Sequence, residues 1–444
     1  MSLSTSTFSV GPKPTNPFRF FLAAGLLLIV LMFLLKLAAA TLIEGEQLQP
    51  LLNWLGHEDE PRVGLQMTAS GSPALTAMSS PRLTPRYQWQ ALPMIAPSPV
   101  GNPWSHNKAS LGRSLFFDTN LSLDRTLSCA SCHDSEGLAG ADGRATAIGV
   151  GEKVGPRNSP TVWNVAFQNW LFWDGRAASL EEQALGPLLN PIEMAMPSAE
   201  SVVARVREQP GYRGLFEQAF GDSTAITVQT ITSALAAYER TLITPNSPYD
   251  RYVRGDDRAL SQQQLSGMSL FEELGCVNCH SGPNFSGAGV LANNSPWRIF
   301  PALDTPYEQR YQLTEDTGKA PSGSKQGVWR IPSLRNVAET APYFHNGSVH
   351  ELAEAVRIMA TAQLGYALES NALEQAQQGL AQQGQVQKED AQQGVIDKEP
   401  AFVWSSQTRT LVPLQTRVVT EDDVQAIVAF LQALSGELAS EPDF

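Results

Sequence analysis

Cysteine is scarce in this chain of 444 residues: there are four, and two short runs hold all of them. The runs are Cys129-Ala130-Ser131-Cys132-His133 and Cys276-Val277-Asn278-Cys279-His280. Histidine is scarce too, six in all, yet one follows each second cysteine directly. Basic residues fall short of acidic ones, 31 against 44, and the net charge of −13 argues against nucleic acid as a partner. Acidic residues are absent before Glu44, and charge of either sign is absent from Phe20 to Leu35. Strand signals are few, which argues for a mainly α fold.

Each cysteine run reads C-x-x-C-H, the attachment signal of a c-type haem. The two thiols add to the haem vinyl groups, and the adjacent imidazole supplies the proximal ligand to iron. A zinc site built from C-x-x-C pairs, or a dithiol in a βαβ context, needs no histidine after the second cysteine. Disulfides require that both motifs go without haem in an oxidising compartment. Two covalent haems are therefore expected, one on Cys129, Cys132 and His133 and one on Cys276, Cys279 and His280.

The uncharged run from Phe20 to Leu35 continues from Leu37 to Ile43, with Lys13 and Arg19 ahead of it. Positive charge before an apolar span holds the N-terminus inside and exports the chain beyond the span. Its length favours a retained transmembrane anchor over 1–43 rather than a cleaved leader, although Ala38-Ala39-Ala40 offers a cleavage site. The rest of the chain is then periplasmic, where c-type haem attachment is expected. Residues 44–100 read as a Pro-rich tether, punctuated by Pro81, Pro85, Pro93, Pro97 and Pro99. Two tandem cytochrome c-like domains come after it, at 101–245 and 246–444. The second carries a Gln-rich insertion at about 372–398, where Ala-Gln-Gln-Gly recurs three times.

Helical periodicity supports this division. Leu111, Leu115 and Phe116 share a face ahead of the first motif. Ile231, Leu235, Tyr238 and Leu242 run at core-facing spacing up to Pro245. Ser261 and Gln264 form a capping box before a Leu265, Met268, Phe271, Leu274 stripe, which Gly275 ends just ahead of Cys276. Thr420 and Asp423 open a last helix with Val424, Ile427, Val428, Leu431 and Leu434 on one face and Gly436 as its stop.

Seven stretches go beyond haem attachment: LGRSLFFDTNLS (111–122), GPRNSPTVWNVAF (155–167), FWDGRAASLEEQALGPL (172–188), IEM (192–194), TPNSPYDRY (244–252), TAPYFHNGSV (340–349) and EAVRIMATAQLG (354–365). On these the chain resembles the bacterial di-haem cytochrome c peroxidases, the family that also contains the MauG-type enzymes. The resemblance covers about 105–365 and the closing helix. It implies a peroxidatic haem on His133 and an electron-receiving haem on His280, with Met359 as the second axial ligand of the latter. A His/Met pair raises the potential of haem iron and closes its coordination, which suits electron transfer. MauG-type enzymes have tyrosine at that place.

The resemblance also implies Trp173 as a relay between the haems, Glu193 as the distal carboxylate and Gln183 as a distal amide. Asn158, Thr340 and Pro342 match positions that bind a structural calcium through oxygen. His345 falls in a matching loop near the second haem. The implied activity is reduction of hydrogen peroxide to water. The implied donor is a small cytochrome c, a cupredoxin or a quinol, and homodimers are common in the family. The alternatives are a MauG-like oxidase acting on a protein and a di-haem electron carrier without catalysis.

One position departs from the family pattern. Many members carry a distal histidine about 16 residues after the first proximal one, and here Ile148-Gly149-Val150-Gly151 stands in its place. Val150 cannot ligate iron, and no histidine lies between His133 and His280. The first haem is thus expected to be open, with Lys153, Met194 and Met196 as the available substitutes.

Overall fold

Ser105, Ser179, Ser198, Thr227, Ser247, Ser261 and Thr420 each place a side-chain oxygen on an amide of the first helical turn, and each starts a helix. In this computed structural model the described residues are 87–292, 295–369 and 417–439, with the backbone of 402–405 and 410–413. All of them belong to one unit, Leu83–Phe444. The expected anchor, most of the tether and the Gln-rich insertion lie outside the described residues. No helix among the described residues is long and apolar enough to cross a membrane.

The helices are α1 (His106–Phe116), α2 (Leu180–Leu189), α3 (Ala199–Glu208), α4 (Tyr212–Phe220), α5 (Val228–Glu239), α6 (Pro248–Val253), α7 (Gln262–Glu273), α8 (Tyr307–Tyr311), α9 (Leu352–Ile358) and α10 (Glu421–Gln432). Among the described residues, six strands of two to four residues pair as β1 (Trp297–Phe300) with β2 (Gly327–Arg330), β3 (Ala367–Leu368) with β6 (Val418–Val419), and β4 (Phe402–Ser405) with β5 (Thr410–Pro413). The mainly α expectation therefore holds for the described residues.

The same helix crossing is built twice. In the first half α1 packs on α5, and in the second α7 packs on α10. Each crossing depends on one glycine. A Cβ on Gly112 would lie 1.9 Å from the Ala234 carbonyl oxygen, and one on Gly267 would lie 1.9 Å from that of Ala426. No other residue type admits so close a backbone approach. Each cysteine run then comes after α1 or α7 as a single 3₁₀ turn, Cys129–Ser131 or Cys276–Asn278.

The apolar core divides accordingly. One cluster joins Leu111, Leu115, Phe116, Ile231, Leu235 and Tyr238, and another joins Met268, Phe271, Val424, Ile427, Phe430 and Leu434. Beneath the second cluster lies a fully buried ion pair, Arg335 to Asp250, at 2.7 and 2.9 Å.

Two boundaries differ from the sequence reading. The helix around Ile231 stops at Glu239, well before Pro245. Asn164 draws the chain away there, its amide donating to the Leu242 carbonyl and its side-chain oxygen accepting from the Thr244 amide. The tether ends earlier than 100: Tyr87 and Trp89 pack on the second core, and the Gly282 amide donates to the Tyr87 hydroxyl. Aromatic side chains at 87 and 89 gain burial that a solvated linker forgoes. Beyond α10, Leu438 and Ala439 return to pack on residues of the first half.

Candidate active site

Two cavities, of about 300 and 240 Å³, open beside the two cysteine runs. Cys129, Cys132 and His133 line the first, and Cys276, Cys279 and His280 line the second. All four thiols are free of disulfides, so each pair is available for thioether attachment. His133 Nδ1 lies 3.4 Å from the Gly140 carbonyl oxygen, and His280 Nδ1 lies 3.1 Å from that of Phe285. A second carbonyl, of Pro160 or Pro332, acts on each ring. A ring that donates through Nδ1 presents Nε2 as its lone-pair nitrogen, as a metal-ligating histidine does. Burial lowers the pKa of both imidazoles, that of His280 to about 4, and keeps them neutral. Two free thiols, a neutral imidazole and an adjoining cavity, present twice, are the donor set that a c-type haem requires.

The walls differ. Glu193, Gln183, Glu239 and Asp316 all line the first cavity. Glu193 sits in the turn after α2, where Pro187 and Asn190 shape the loop. The Val150 amide donates to the Glu193 carbonyl and the Pro187 carbonyl accepts from the Met194 amide. Asn190 Nδ2 donates to Glu193 Oε1 at 2.6 Å. Burial raises the Glu193 pKa, with the Asn190 bond and the Arg176 charge opposing it. Glu239, at the end of α5, is more extreme: burial pushes it to about 8, and its Oε2 has no hydrogen-bond partner.

No carboxylate is among the described residues that line the second cavity. Its wall includes Met359, His345, Trp329, Arg298 and an apolar face from Phe271, Leu274, Ile427 and Leu431. Met359 opens a π turn, Met359–Gln363, that continues α9. Such turns are often found at functional sites. His345 is 2% exposed, stacks on Trp329 with ring centres 4.0 Å apart, and leaves Nε2 without a partner.

Trp173 lines both cavities. Its Nε1 donates to the Asn158 carbonyl at 2.9 Å, and its own carbonyl accepts from the Arg330 amide at 2.9 Å. Arg157 lines the first cavity and braces this region through Asp174 at 2.7 Å and Asp316 at 2.6 Å.

Asn158, Thr340 and Pro342, the expected calcium positions, all line the second cavity. The Asn158 side chain donates to the Arg144 carbonyl. Among the described residues no group of three or more His, Cys, Asp or Glu is arranged to hold a metal. Val150 is buried, and its neighbours Ile148 and Gly149 line the first cavity. Of the substitute ligands, only Met194 reaches that wall. Lys153 Nζ donates instead to the Pro191 carbonyl, and Met196 packs in the first core.

The sequence reading missed Glu239, Arg157 and Arg330. Glu239 carried one signal, being the one charged residue of its helix. Arg330, in a four-residue strand, carried none.

A family model described as di-haem cytochrome c peroxidase matches residues 106–258. The chain is 42% identical over 270 residues to the cytochrome c551 peroxidase of Pseudomonas aeruginosa, covering 60% of this chain and 75% of that one. It is 40% identical over 280 residues to the cytochrome c peroxidase Ccp of Escherichia coli K12, covering 61% of this chain but only 57% of that protein's length. A crystal structure of a MauG-like protein associated with microbial copper homeostasis superposes with a TM-score of 0.59 at 29% identity, covering 80% of this chain and 98% of that one.

Proposed function

The chain belongs to the di-haem cytochrome c peroxidase family, and from that premise we propose that it reduces hydrogen peroxide in the first cavity with electrons received at the second. The balance is H2O2 + 2 H⁺ + 2 e⁻ → 2 H2O, the electrons coming from an external cytochrome c, cupredoxin or quinol. Haem carried on each Cys-Cys-His site supplies the redox iron. One observation carries the reading: two matched cavities share Trp173, and the lining carboxyls belong to one of them alone.

Glu193 is the proton carrier. Asn190 holds Oε1, which leaves Oε2 to take a proton from one peroxide oxygen and return it to the departing one. Its raised pKa brings it nearer neutrality, where a general base accepts and releases protons most effectively. Gln183 orients peroxide through its amide. Trp173, fixed through its indole N–H and its carbonyl, gives an aromatic path between the two walls. Met359 lines the second cavity with His280 and would supply a further ligand to a haem held there, closing it to peroxide.

The reading extends to a periplasmic protein tethered by residues 1–43, supported by the uncharged run behind Lys13 and Arg19. It also includes a calcium near Asn158, Thr340 and Pro342, and homodimer formation. The MauG-like alternative has one observation in its favour, Val150, since a valine leaves the first site without a distal histidine. An electron paramagnetic resonance spectrum of the oxidised protein is expected to show a high-spin component, and a wholly low-spin spectrum contradicts the open site. The function itself is tested by steady-state peroxide consumption with reduced donors of all three classes, on protein shown to carry two haems. Turnover with at least one donor is expected; no consumption with any of them overturns the proposal.

A further inference from the structure

Three arginines are buried among the described residues: Arg240, Arg330 and Arg335. Two of them meet carboxylates, Arg240 on Glu181 at 2.8 Å and Arg335 on Asp250 at 2.7 Å. Arg330, 4% exposed, meets none. Its Nε donates to the Phe172 carbonyl at 2.9 Å, and Nη1 donates to Gln168 Oε1 and, at 3.5 Å, to the Ile331 carbonyl. All of these acceptors are neutral. Asp174, the carboxylate nearest in effect, is already held by Arg157 and Arg176. Burial pushes the Arg330 guanidinium down to about 10, so it stays charged at neutral pH.

A buried cation without an anion is strongly disfavoured, and folded chains retain one where a bound group brings the counter-charge. Arg330 is one of the few side chains that line both cavities, with Trp173 and Gln168 among the others. A haem carries two carboxylates of its own. The residues therefore fit a group that brings negative charge to this wall from either side.

We infer that Arg330 is a counter-cation shared by the two haems, facing carboxylate groups in both cavities and raising the reduction potential of both irons. It rests on the two-haem reading given above. A positive charge near iron favours the reduced form, so removing it lowers the potential. A single charge sensed at both sites also ties the two potentials together, which no residue confined to one cavity does.

The test uses the haem-loaded protein and reads midpoint potentials by spectroelectrochemical titration, with both haems counted beforehand by mass and by pyridine haemochrome. In R330M both midpoints shift to lower potential, and R330K restores at least half of each shift. Gln168→Glu offers the guanidinium a carboxylate of the same shape and leaves the packing intact, so it guards against an R330M chain that fails to mature. It too lowers both midpoints. Midpoints that stay put in R330M or Gln168→Glu, a shift confined to one haem, or an R330K that behaves as R330M each overturn the inference. A wild-type protein that attaches fewer than two haems overturns the underlying reading instead.

Discussion

The two halves of this chain share a scaffold and differ in what lines it. In each, a helix bearing one glycine crosses a later helix at backbone contact, a 3₁₀ turn presents two thiols, and a neutral imidazole leans on backbone carbonyls. The walls then diverge. Glu193, Glu239 and Asp316 line the first cavity, while Met359, His345 and apolar side chains line the second, which has no carboxylate among its described residues. The thiol and imidazole donors are thus common to both, and among the described residues the carboxylates line one cavity alone. A reaction that consumes protons needs a group that holds them; electron transfer needs a dry, closed site instead.

The sharpest way to break this contrast is Glu193→Gln. Loss of the proton carrier is expected to slow the reaction with peroxide by about 10²–10⁴-fold, leaving reduction by the donor at the second site unchanged. Stopped-flow mixing separates the two steps. In the wild type the peroxide rate falls as pH drops through the Glu193 titration, because the protonated carboxyl cannot accept a proton. The midpoint lies above the ordinary carboxylate range, and the Gln variant loses that dependence.

Asp250→Ala strikes chiefly the second half, although Asp250 also accepts from the Leu92 amide, whose side chain packs on Phe167 and Ile243. It strands the fully buried Arg335 charge and is expected to cost about 3–5 kcal/mol in denaturant unfolding. Most of the loss is expected in the transition that reports on the second half.

The shared scaffold is tested by Gly112→Ala and Gly267→Ala. Each puts a methyl 1.9 Å from a carbonyl oxygen across the helix crossing. Each is expected to destabilise its own half by roughly 1–3 kcal/mol, and unequal effects mean the crossings are less alike than their geometry.

The last contrast concerns the buried acid of the first half, and it is read through pH. Glu239 is raised to about 8 against an ordinary 4.5, so the folded state keeps a proton that the unfolded state releases. Stability is then full below about pH 4.5 and declines toward pH 8, by about 1.4 kcal/mol per pH unit. Glu239→Gln is expected to flatten that slope in thermal melts between pH 5 and 7.5.

Much of this was legible in the residues. The four core helices were readable from their apolar spacing and, for α7, from the Ser261–Gln264 capping box that the structure contains. These are local signals, carried by neighbours within one or two turns. The end of α5 was misread because Asn164, far away in sequence, takes over the backbone groups near Leu242 and Thr244. The packing of Tyr87 and Trp89 was missed for a similar reason, since proline punctuation says nothing of what a tryptophan will meet.

The sequence by itself determined where the thiols and imidazoles stand, because a five-residue motif carries its own geometry. Through resemblance it also supplied Trp173, Glu193, Gln183 and Met359 as candidates. Only the tertiary structure decided that the lining carboxyls face one cavity and Met359 the other, that Trp173 borders both, and that Arg330 lies between them without a carboxylate. Burial and the absence of a partner are relations between distant segments, and no local pattern encodes them.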